Sequence, residues 1–178
     1  MAFDMQPVLT GQLLSLRPLA AGDFESLYAV AADPLIWEQH PEKTRCEEGP
    51  FRAFFAEALD SGGALAALDG KDGKIIGTSR FFGHDKAASR IEIGWTFLAR
   101  SRWGGAYNGE MKRLMLRHAF GQVERVVFVI DSLNLRSQRA VEKIGGVRIA
   151  TKAAEGGLEN WIYQITADTF VGRNGRQN

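Results

Sequence analysis

The sequence of 178 residues contains a single cysteine, Cys46, and therefore cannot form an internal disulfide bond. A chain of this length can bury enough apolar surface to fold without disulfides or metal ions. Cysteine usage of this kind suits a reducing compartment. We expect Cys46 to face solvent without a catalytic role, and we expect no metal site.

Charge of one sign and long apolar runs are also scarce. The formal net charge is +1, which gives no argument for a general nucleic-acid or membrane-surface partner. No apolar run approaches the length of a membrane span, and the first residues (MAFDMQP) lack the basic segment and apolar run of a signal peptide. We expect a cytoplasmic protein with neither nucleic acid nor membrane as a partner.

Two common nucleotide-binding motifs are missing as well. No Gly-x-Gly-x-x-Gly follows the first predicted strand, and no Gly-Lys-Ser/Thr occurs, which excludes a P-loop. The composition, with 45% hydrophobic and 24% charged residues, is that of an ordinary globular protein. We predict one domain over residues 1–171 and a disordered tail over residues 172–178 (GRNGRQN), because that tail has no apolar anchor.

Apolar periodicity predicts an α/β fold, in which a mixed sheet of about seven strands is flanked by about four helices. The predicted strands are residues 13–19, 64–68, 75–82, 90–98, 125–131, 147–152 and 158–166. The predicted helices are residues 22–32, 50–60, about 104–120 and 135–145. The spacing of strand, helix and strand between residues 90 and 131 predicts a parallel pair joined by a right-handed crossover.

The turn after strand 90–98 contains two adjacent glycines, in residues 102–109 (RWGGAYNG). A helix start leaves about four backbone N–H groups unpaired and carries roughly half a positive charge. Glycines let an anion approach these amides, and Arg100 and Arg102 add formal charge beside them. The segment therefore indicates a cradle for a diphosphate, although a simple tight turn explains Gly104 and Gly105 equally well.

Three segments in a fixed order carry a resemblance to a known family, and they are residues 91–95 (IEIGW), 103–111 (WGGAYNGEM) and 134–145 (NLRSQRAVEKIG). Together with residues 14–19 (LSLRPL), they resemble the GNAT superfamily of N-acetyltransferases, especially its RimJ/RimL-type branch. The order of elements agrees over about residues 10–168. The resemblance implies acetyl-CoA as cosubstrate and transfer of its acetyl group to an amine.

In that family acetyl-CoA lies between two parallel strands that splay apart, and here these would be residues 90–98 and 125–131. The resemblance implies that backbone groups of Phe97, Leu98 and Ala99 pair with the pantetheine arm. It also implies a set of residues around the diphosphate, the nucleotide and the thiol: Arg100, Arg102, Trp103, Gly104, Gly105, Ala106, Tyr107, Asn108, Asn134, Ser137 and Arg139. Helix capping by Asn134, a plain first-turn position for Ser137 and a solvated Arg139 are the structural alternatives.

The sequence departs from the family pattern at two places. Ala106 and Asn108 occupy the two positions where the family has small residues, and Asn is larger than the pattern expects. Many members also have a tyrosine that protonates the leaving thiolate, and Val141 stands at that position. Ser137 is the substitute acid, as in RimL-like members.

Glu92 is the candidate general base. Amines are mostly protonated at pH 7, since their reference pKa values are about 10.4 for lysine and about 7.7–8.0 for an α-amine. A carboxylate near the acyl end would accept a proton, and burial would raise its pKa toward a useful value. An ion pair of Glu92 with Arg90 or Arg80 is the alternative. A backbone N–H near Leu98 would polarise the thioester carbonyl for direct transfer.

The acceptor site is expected at the segment of residues 37–48 (WEQHPEKTRCEE), in particular at Trp37, Glu38 and His40, with Phe82 on the opposite wall. Acids beside an aromatic ring would suit a cationic amine, while a solvated loop is the alternative. The acceptor is a protein N-terminus or a small amine. The oligomeric state stays open, with a homodimer as one candidate.

Two other classes of function compete with the acetyltransferase. The first is a catalytically silent CoA-binding or dimerisation module on the same fold, which gains weight from Val141. The second is a nucleotide-binding regulator, which no motif supports.

Overall fold

The structure, a computed structural model, describes residues 3–154 and 157–174. Within these residues one sheet contains all the strands, in the order β1-β2-β3-β4-β5-β6-β8-β7. The strands are β1 (Leu9–Thr10), β2 (Leu14–Pro18), β3 (Ala64–Asp69), β4 (Ile75–Asp85), β5 (Arg90–Leu98), β6 (Arg125–Asp131), β7 (Val147–Ala153) and β8 (Glu159–Thr166). All neighbours are antiparallel except β5 and β6, which confirms the predicted parallel pair.

Five α-helices accompany the sheet in the described part of the chain. They are α1 (Phe24–Ala31), α2 (Glu48–Asp60), α3 (Ala106–Phe120), α4 (Leu135–Lys143) and α5 (Ala167–Asn174). The helices α1 and α2 bury an aromatic cluster against one face of the sheet, in which Phe51, Phe54 and Phe55 pack near Phe97 of β5. This cluster forms one wall of the region where the site lies.

The opposite face is covered by α3 and α4. Met111, Met115 and Leu116 of α3 are buried together with residues of the central strands, and α4 adds Val141. The helix α3 connects β5 to β6, and α4 connects β6 to β7, which runs parallel to β6 on the far side of β8. Because both connections proceed in the same direction across the sheet, right-handed crossovers place α3 and α4 on the same face. The beginnings of both helices therefore come close to the carboxyl ends of β5 and β6.

The predicted mixed sheet is confirmed, and the structure adds two elements to it. The strand β1 has two residues, too few to show an alternating pattern, and α5 follows directly after β8. The last three residues of α5 fall in the segment 172–178 predicted as a disordered tail, and residues 175–178 lie outside the described residues. In the part of the chain that is described, no helix has the length and apolarity needed to cross a membrane.

Candidate functional site

The parallel strands β5 and β6 separate soon after they begin. They pair over Arg90–Glu92 and Arg125–Val127 only, although β5 continues to Leu98 and β6 continues beside β8 as far as Asp131. The gap opens into a cavity of about 490 Å³, which is also lined by the starts of α3 and α4 and by the segment before α2. Splayed strands therefore expose free backbone edges to this cavity.

A β-bulge in β5 lies next to this opening. The register between β4 and β5 shifts between Thr78 and Arg80, and Trp95 has a φ of +49°, which bulky residues rarely adopt. The bulge directs the Trp95 indole against Phe82 and beneath the guanidinium of Arg80, whose Cζ lies 4.6 Å from the ring centroid. Bulges commonly change the direction of a side chain next to a functional site. Here the side chain is that of Trp95, which lines the cavity.

The end of β5 directs the amide of Leu98 to the gap. The amide of Ala99 donates to the carbonyl of Ile76 on β4 at 2.8 Å. Because amides alternate in an antiparallel ladder, Phe97 N–H also points to β4 and Leu98 N–H points the other way. Of the backbone groups expected to pair with a pantetheine arm, the amides of Phe97 and Ala99 are therefore directed to β4, and the Leu98 amide remains a candidate. The Leu98 carbonyl accepts from the indole N–H of Trp103 at 2.9 Å.

The start of α3 opens at the cavity without a side-chain cap. Gly105 is the N-cap residue, and no side chain of the described residues accepts a hydrogen bond from the first amides of the helix. Gly104 has a φ of +68°, which explains why glycine stands there, and both Gly104 and Asn108 line the cavity. Ala106 is exposed at the first helical turn. These amides have the geometry that binds anions at helix starts.

The two arginines expected beside the diphosphate are held by carboxylates. Arg102 contacts the fully buried carboxylate of Asp69 at 2.6 Å, and its guanidinium lies over the ring of Tyr107. Arg100 pairs with Asp33 at the end of α1 and lies outside the cavity lining. Arg102 therefore holds the turn before α3 in place, and Arg100 points toward a different surface.

The beginning of α4 forms another wall of the cavity. The side chain of Asn134 caps this helix by accepting from the amide of Ser137 at 3.1 Å, so the capping alternative is what the structure shows. Ser137 lines the cavity, whereas Arg139 is exposed and does not. Arg136 bridges the opening, since its Nη2 donates to the carbonyl of Ile36 at 2.7 Å.

Glu92 lines the cavity at the point where β5 and β6 part. Burial raises the pKa of Glu92 from 4.5 to about 7, and the positive charges of Lys152 and Arg90 oppose this rise only in part. In the described residues Glu92 forms no ion pair, because Arg90 pairs with Asp85 at 3.7 Å and Arg80 pairs with no carboxylate. The alternative role as an ion-pair partner is therefore wrong.

Lys112 of α3 is a buried cation that the sequence analysis did not identify. Its Nζ donates to Thr96 Oγ1 at 2.5 Å and to Ser79 Oγ at 3.3 Å, and the side chain lines the cavity. Burial lowers the pKa of Lys112 from 10.5 to about 7. The available signal was its place on the buried face of α3, three residues before Met115 and four after Asn108.

The expected acceptor residues do not all reach the cavity. Trp37 is 3% exposed, donates its indole N–H to the carbonyl of Ala31 at 2.7 Å and contributes its ring to the cavity wall. Glu38 is exposed and Phe82 is 43% exposed, and both lie outside the cavity lining. Since Glu38 points away, it gives the cavity no acidic character.

His40 does line the cavity, in the neutral form. Its ring lies beside Arg45, with 3.2 Å between Nε2 and the Arg45 Nη1. Burial, together with the charges of Arg45 and Arg136, lowers the pKa of His40 from 6.5 to about 4. The segment of residues 37–48 therefore brings a neutral imidazole, the Arg45 guanidinium and one carboxylate, that of Glu42, to the site, so only part of the predicted acidic surface reaches the cavity.

Comparisons with known proteins agree with this geometry. A family model described as the acetyltransferase (GNAT) domain matches residues 14–147. No curated protein sequence matches the chain significantly. A T. thermophilus protein with a provisional acetyltransferase assignment is 28% identical, with 95% of this chain and 94% of that chain covered and a TM-score of 0.76.

Two further structures share the fold at lower identity. A GCN5-related N-acetyltransferase from Brucella melitensis is 19% identical, with 93% of this chain and 80% of that chain covered and a TM-score of 0.82. Mycobacterium smegmatis RimJ, solved in complex with CoA-disulfide, is 20% identical, with 96% and 93% covered and a TM-score of 0.66. Because the family model spans most of the sequence, the protein belongs to the GNAT family of acetyltransferases.

Proposed function

We propose that this protein is an acetyl-CoA-dependent N-acetyltransferase that acts on a primary amine by direct attack in a ternary complex. One observation carries the proposal: an uncapped helix start and a buried carboxylate of raised pKa open onto the same cavity. The first suits a phosphate-bearing cofactor, and the second suits a general base. If Gly104 and Gly105 only made a turn and Glu92 only formed an ion pair, the helix start and the carboxylate would have no reason to open onto the same cavity.

The residues at the cavity fit acetyl-CoA. The free amides at the start of α3 would hold its diphosphate, and the free edge of β5 at Leu98 would pair with its pantetheine arm. When bound there, the cosubstrate supplies an activated acetyl thioester. Support comes from the RimJ structure with CoA-disulfide, which has the same fold and agrees with the RimJ/RimL-like motifs of this sequence.

Glu92 is the proposed base. With a pKa of about 7, its carboxylate is substantially ionised at neutral pH and is basic enough to accept a proton from an α-ammonium group of pKa about 7.7–8.0. A lysine side chain would require a larger shift of its own pKa. The small difference between the pKa of Glu92 and that of an α-ammonium group therefore favours a protein N-terminus or another amine of moderate basicity over an ordinary lysine.

Two further groups are assigned to the transfer step. The Leu98 N–H, which no strand occupies on that side, would donate to the thioester carbonyl and stabilise charge that develops on its oxygen. The Ser137 hydroxyl would donate a proton toward the leaving thiolate, since Val141 carries no acid. Asn134 positions Ser137 through the cap of α4.

Titration calorimetry with CoA and a thiol-release assay with acetyl-CoA and a panel of amines test this function together. We expect CoA to bind with measurable heat and at least one amine to release thiol above the hydrolysis background. Tight CoA binding without turnover on any amine would instead support the silent module. Absence of CoA binding would overturn both, and preferential binding of ATP would favour the nucleotide-binding regulator.

A further inference from the structure

Arg80 is a buried cation without an ion-pair partner among the described residues, and it lies against two residues of the cavity wall without being a lining residue itself. Its side chain is 4% exposed, and no described residue accepts a hydrogen bond from its Nε or Nη2. The guanidinium lies over two aromatic rings that line the cavity, Trp95 at 4.6 Å and Phe54 at 5.8 Å from ring centroid to Cζ. Aromatic faces offset only part of the cost of burying a charge.

Arg45 adds a second guanidinium to the same wall. Its Cζ lies 4.7 Å from the centroid of the Phe54 ring, and it lines the cavity. Glu42, which also lines the cavity, acts on Arg45 electrostatically, and Glu57 of α2 acts on both arginines. Among the described residues neither carboxylate forms an ion pair with Arg45 or Arg80. Two like charges near each other in a partly buried wall favour an anion that bridges them.

The strand register places Arg80 close to the proposed base. Arg80 is opposite Gly94 and Phe82 is opposite Glu92 across the β4–β5 ladder, so Arg80 and Glu92 are diagonal neighbours on one face. Gly94 has no side chain, and Glu92 Oε1 lies 3.4 Å from the point where a Cβ would be. The missing side chain at Gly94 therefore leaves the sheet face between Glu92 and Arg80 free of a Cβ.

We propose that the acceptor is an amine that carries a carboxylate, which binds to Arg80 and Arg45 while the amine faces Glu92. This inference rests on the proposed function and specifies its substrate class. The transfer forms a C–N amide bond and breaks the thioester C–S bond. The ammonium group gives one proton to Glu92 before the attack, and the second proton that the nitrogen loses passes through the Ser137 hydroxyl to the leaving thiolate, so that Ser137 ends as it began. The sources of such an acceptor are a free amino acid and a peptide whose first residue is acidic.

A panel of matched amines tests this specificity in the wild-type protein. Each pair differs in one charge, such as an amino acid against its carboxamide, or a peptide that begins with Asp against one that begins with Asn. We expect kcat/KM to be at least about 10-fold higher for the carboxylate in one of the two arms, because hydrogen bonds to a charged group are worth that much or more. The arm with the higher value identifies the source.

The variant Arg80→Met assigns the preference to its residue, with Arg52→Met on the exposed surface of α2 as the matched control. We expect Arg80→Met to raise KM for the preferred carboxylate at least about 10-fold and to leave kcat/KM for its carboxamide unchanged. The control should keep both values. Equal kcat/KM within every wild-type pair, or a preference that survives in Arg80→Met, would overturn the inference.

Binding of CoA and binding of the acceptor are measured separately, so that failure of the carboxylate inference can be distinguished from failure of the proposed acetyltransferase function. Intrinsic fluorescence of the tryptophans that line the cavity, Trp37, Trp95 and Trp103, reports amino acid binding without any turnover, and calorimetry reports CoA. If CoA binds and amines react without regard to charge, the carboxylate inference is wrong while the acetyltransferase stands. If CoA does not bind, the proposed function is wrong. Should Arg80→Met not fold, thermal stabilisation of the wild type by the carboxylate, and none by the carboxamide, decides the question.

Discussion

Replacement of Glu92 by Gln removes the proposed base and keeps the shape of the side chain. In the wild type, kcat/KM should rise about tenfold per pH unit below pH 7 and level off above it, because the ionised form is the active one. The variant should lose a factor of about 10²–10⁴ in turnover and show no inflection near pH 7. Its affinity for CoA should stay within about twofold, since the diphosphate site lies at α3.

The same substitution has a calculable effect on stability. A pKa raised from 4.5 in the unfolded chain to about 7 in the folded protein corresponds to about 3 kcal/mol, at 1.36 kcal/mol per pH unit. The folded state holds the proton more tightly, so wild-type stability falls as pH rises from 4.5 through 7. Glu92→Gln should therefore be more stable than wild type at pH 8, by up to about 3 kcal/mol. The difference should vanish near pH 4.

Urea denaturation at pH 4, 6 and 8 measures this difference, and Glu124→Gln, immediately before β6, is the matched control, because that residue is exposed. The control should change neither the pH profile of activity nor the stability at any of the three pH values. Equal stability of Glu92→Gln and wild type at pH 8 would show that Glu92 is not buried as the structure has it. An unchanged activity profile would show that Glu92 is not the base.

Three further perturbations follow from the geometry around the cavity. Gly104→Ala should cost about 1 kcal/mol of stability, because its φ is +68°, and should weaken CoA binding several-fold in calorimetry; unchanged affinity would exclude the turn from the cofactor site. Asp69→Ala should cost about 2 kcal/mol in urea denaturation, since it leaves Arg102 without its partner, and a loss below 0.5 kcal/mol, in roughly the range of a surface pair, would contradict a buried ion pair. Lys112→Met should be more stable than wild type at pH 6, and the gain should shrink as pH rises from 7 toward 10.5, because the folded pKa of Lys112 is about 7; a gain independent of pH would mean that the lysine is not buried as a cation.

Local sequence patterns predicted most of the fold. The apolar run 125–131 and the alternating run 90–98 are both strands at nearly the same bounds, and the helix between them forces them to be parallel. The strand β1 was not predicted, because two residues are too few to show an alternating apolar pattern. The glycines before α3 were identified correctly as the start of a helix, and Gly104 has the positive φ that only glycine adopts easily.

Side-chain partners were beyond the reach of these patterns. Arg100 and Arg102 are both basic and both adjacent to the turn, yet each is held by a carboxylate from a distant part of the chain, Asp33 and Asp69. Similarly, the acidic composition of residues 37–48 gave no hint that Glu38 points outward while Arg45 points inward. Long-range pairing of this kind depends on how elements pack, which spacing along the chain does not encode.

The sequence by itself determined the strand and helix order, the glycine turn before α3 and the presence of a glutamate on the strand beside it, because these depend on local periodicity and backbone conformation. Only the tertiary structure decided that the two parallel strands part after Glu92, that burial brings its pKa to about 7, and that Lys112 lines the cavity while Arg80 lies at its edge. Burial and charge proximity arise when distant elements meet, and they set the chemistry of the site.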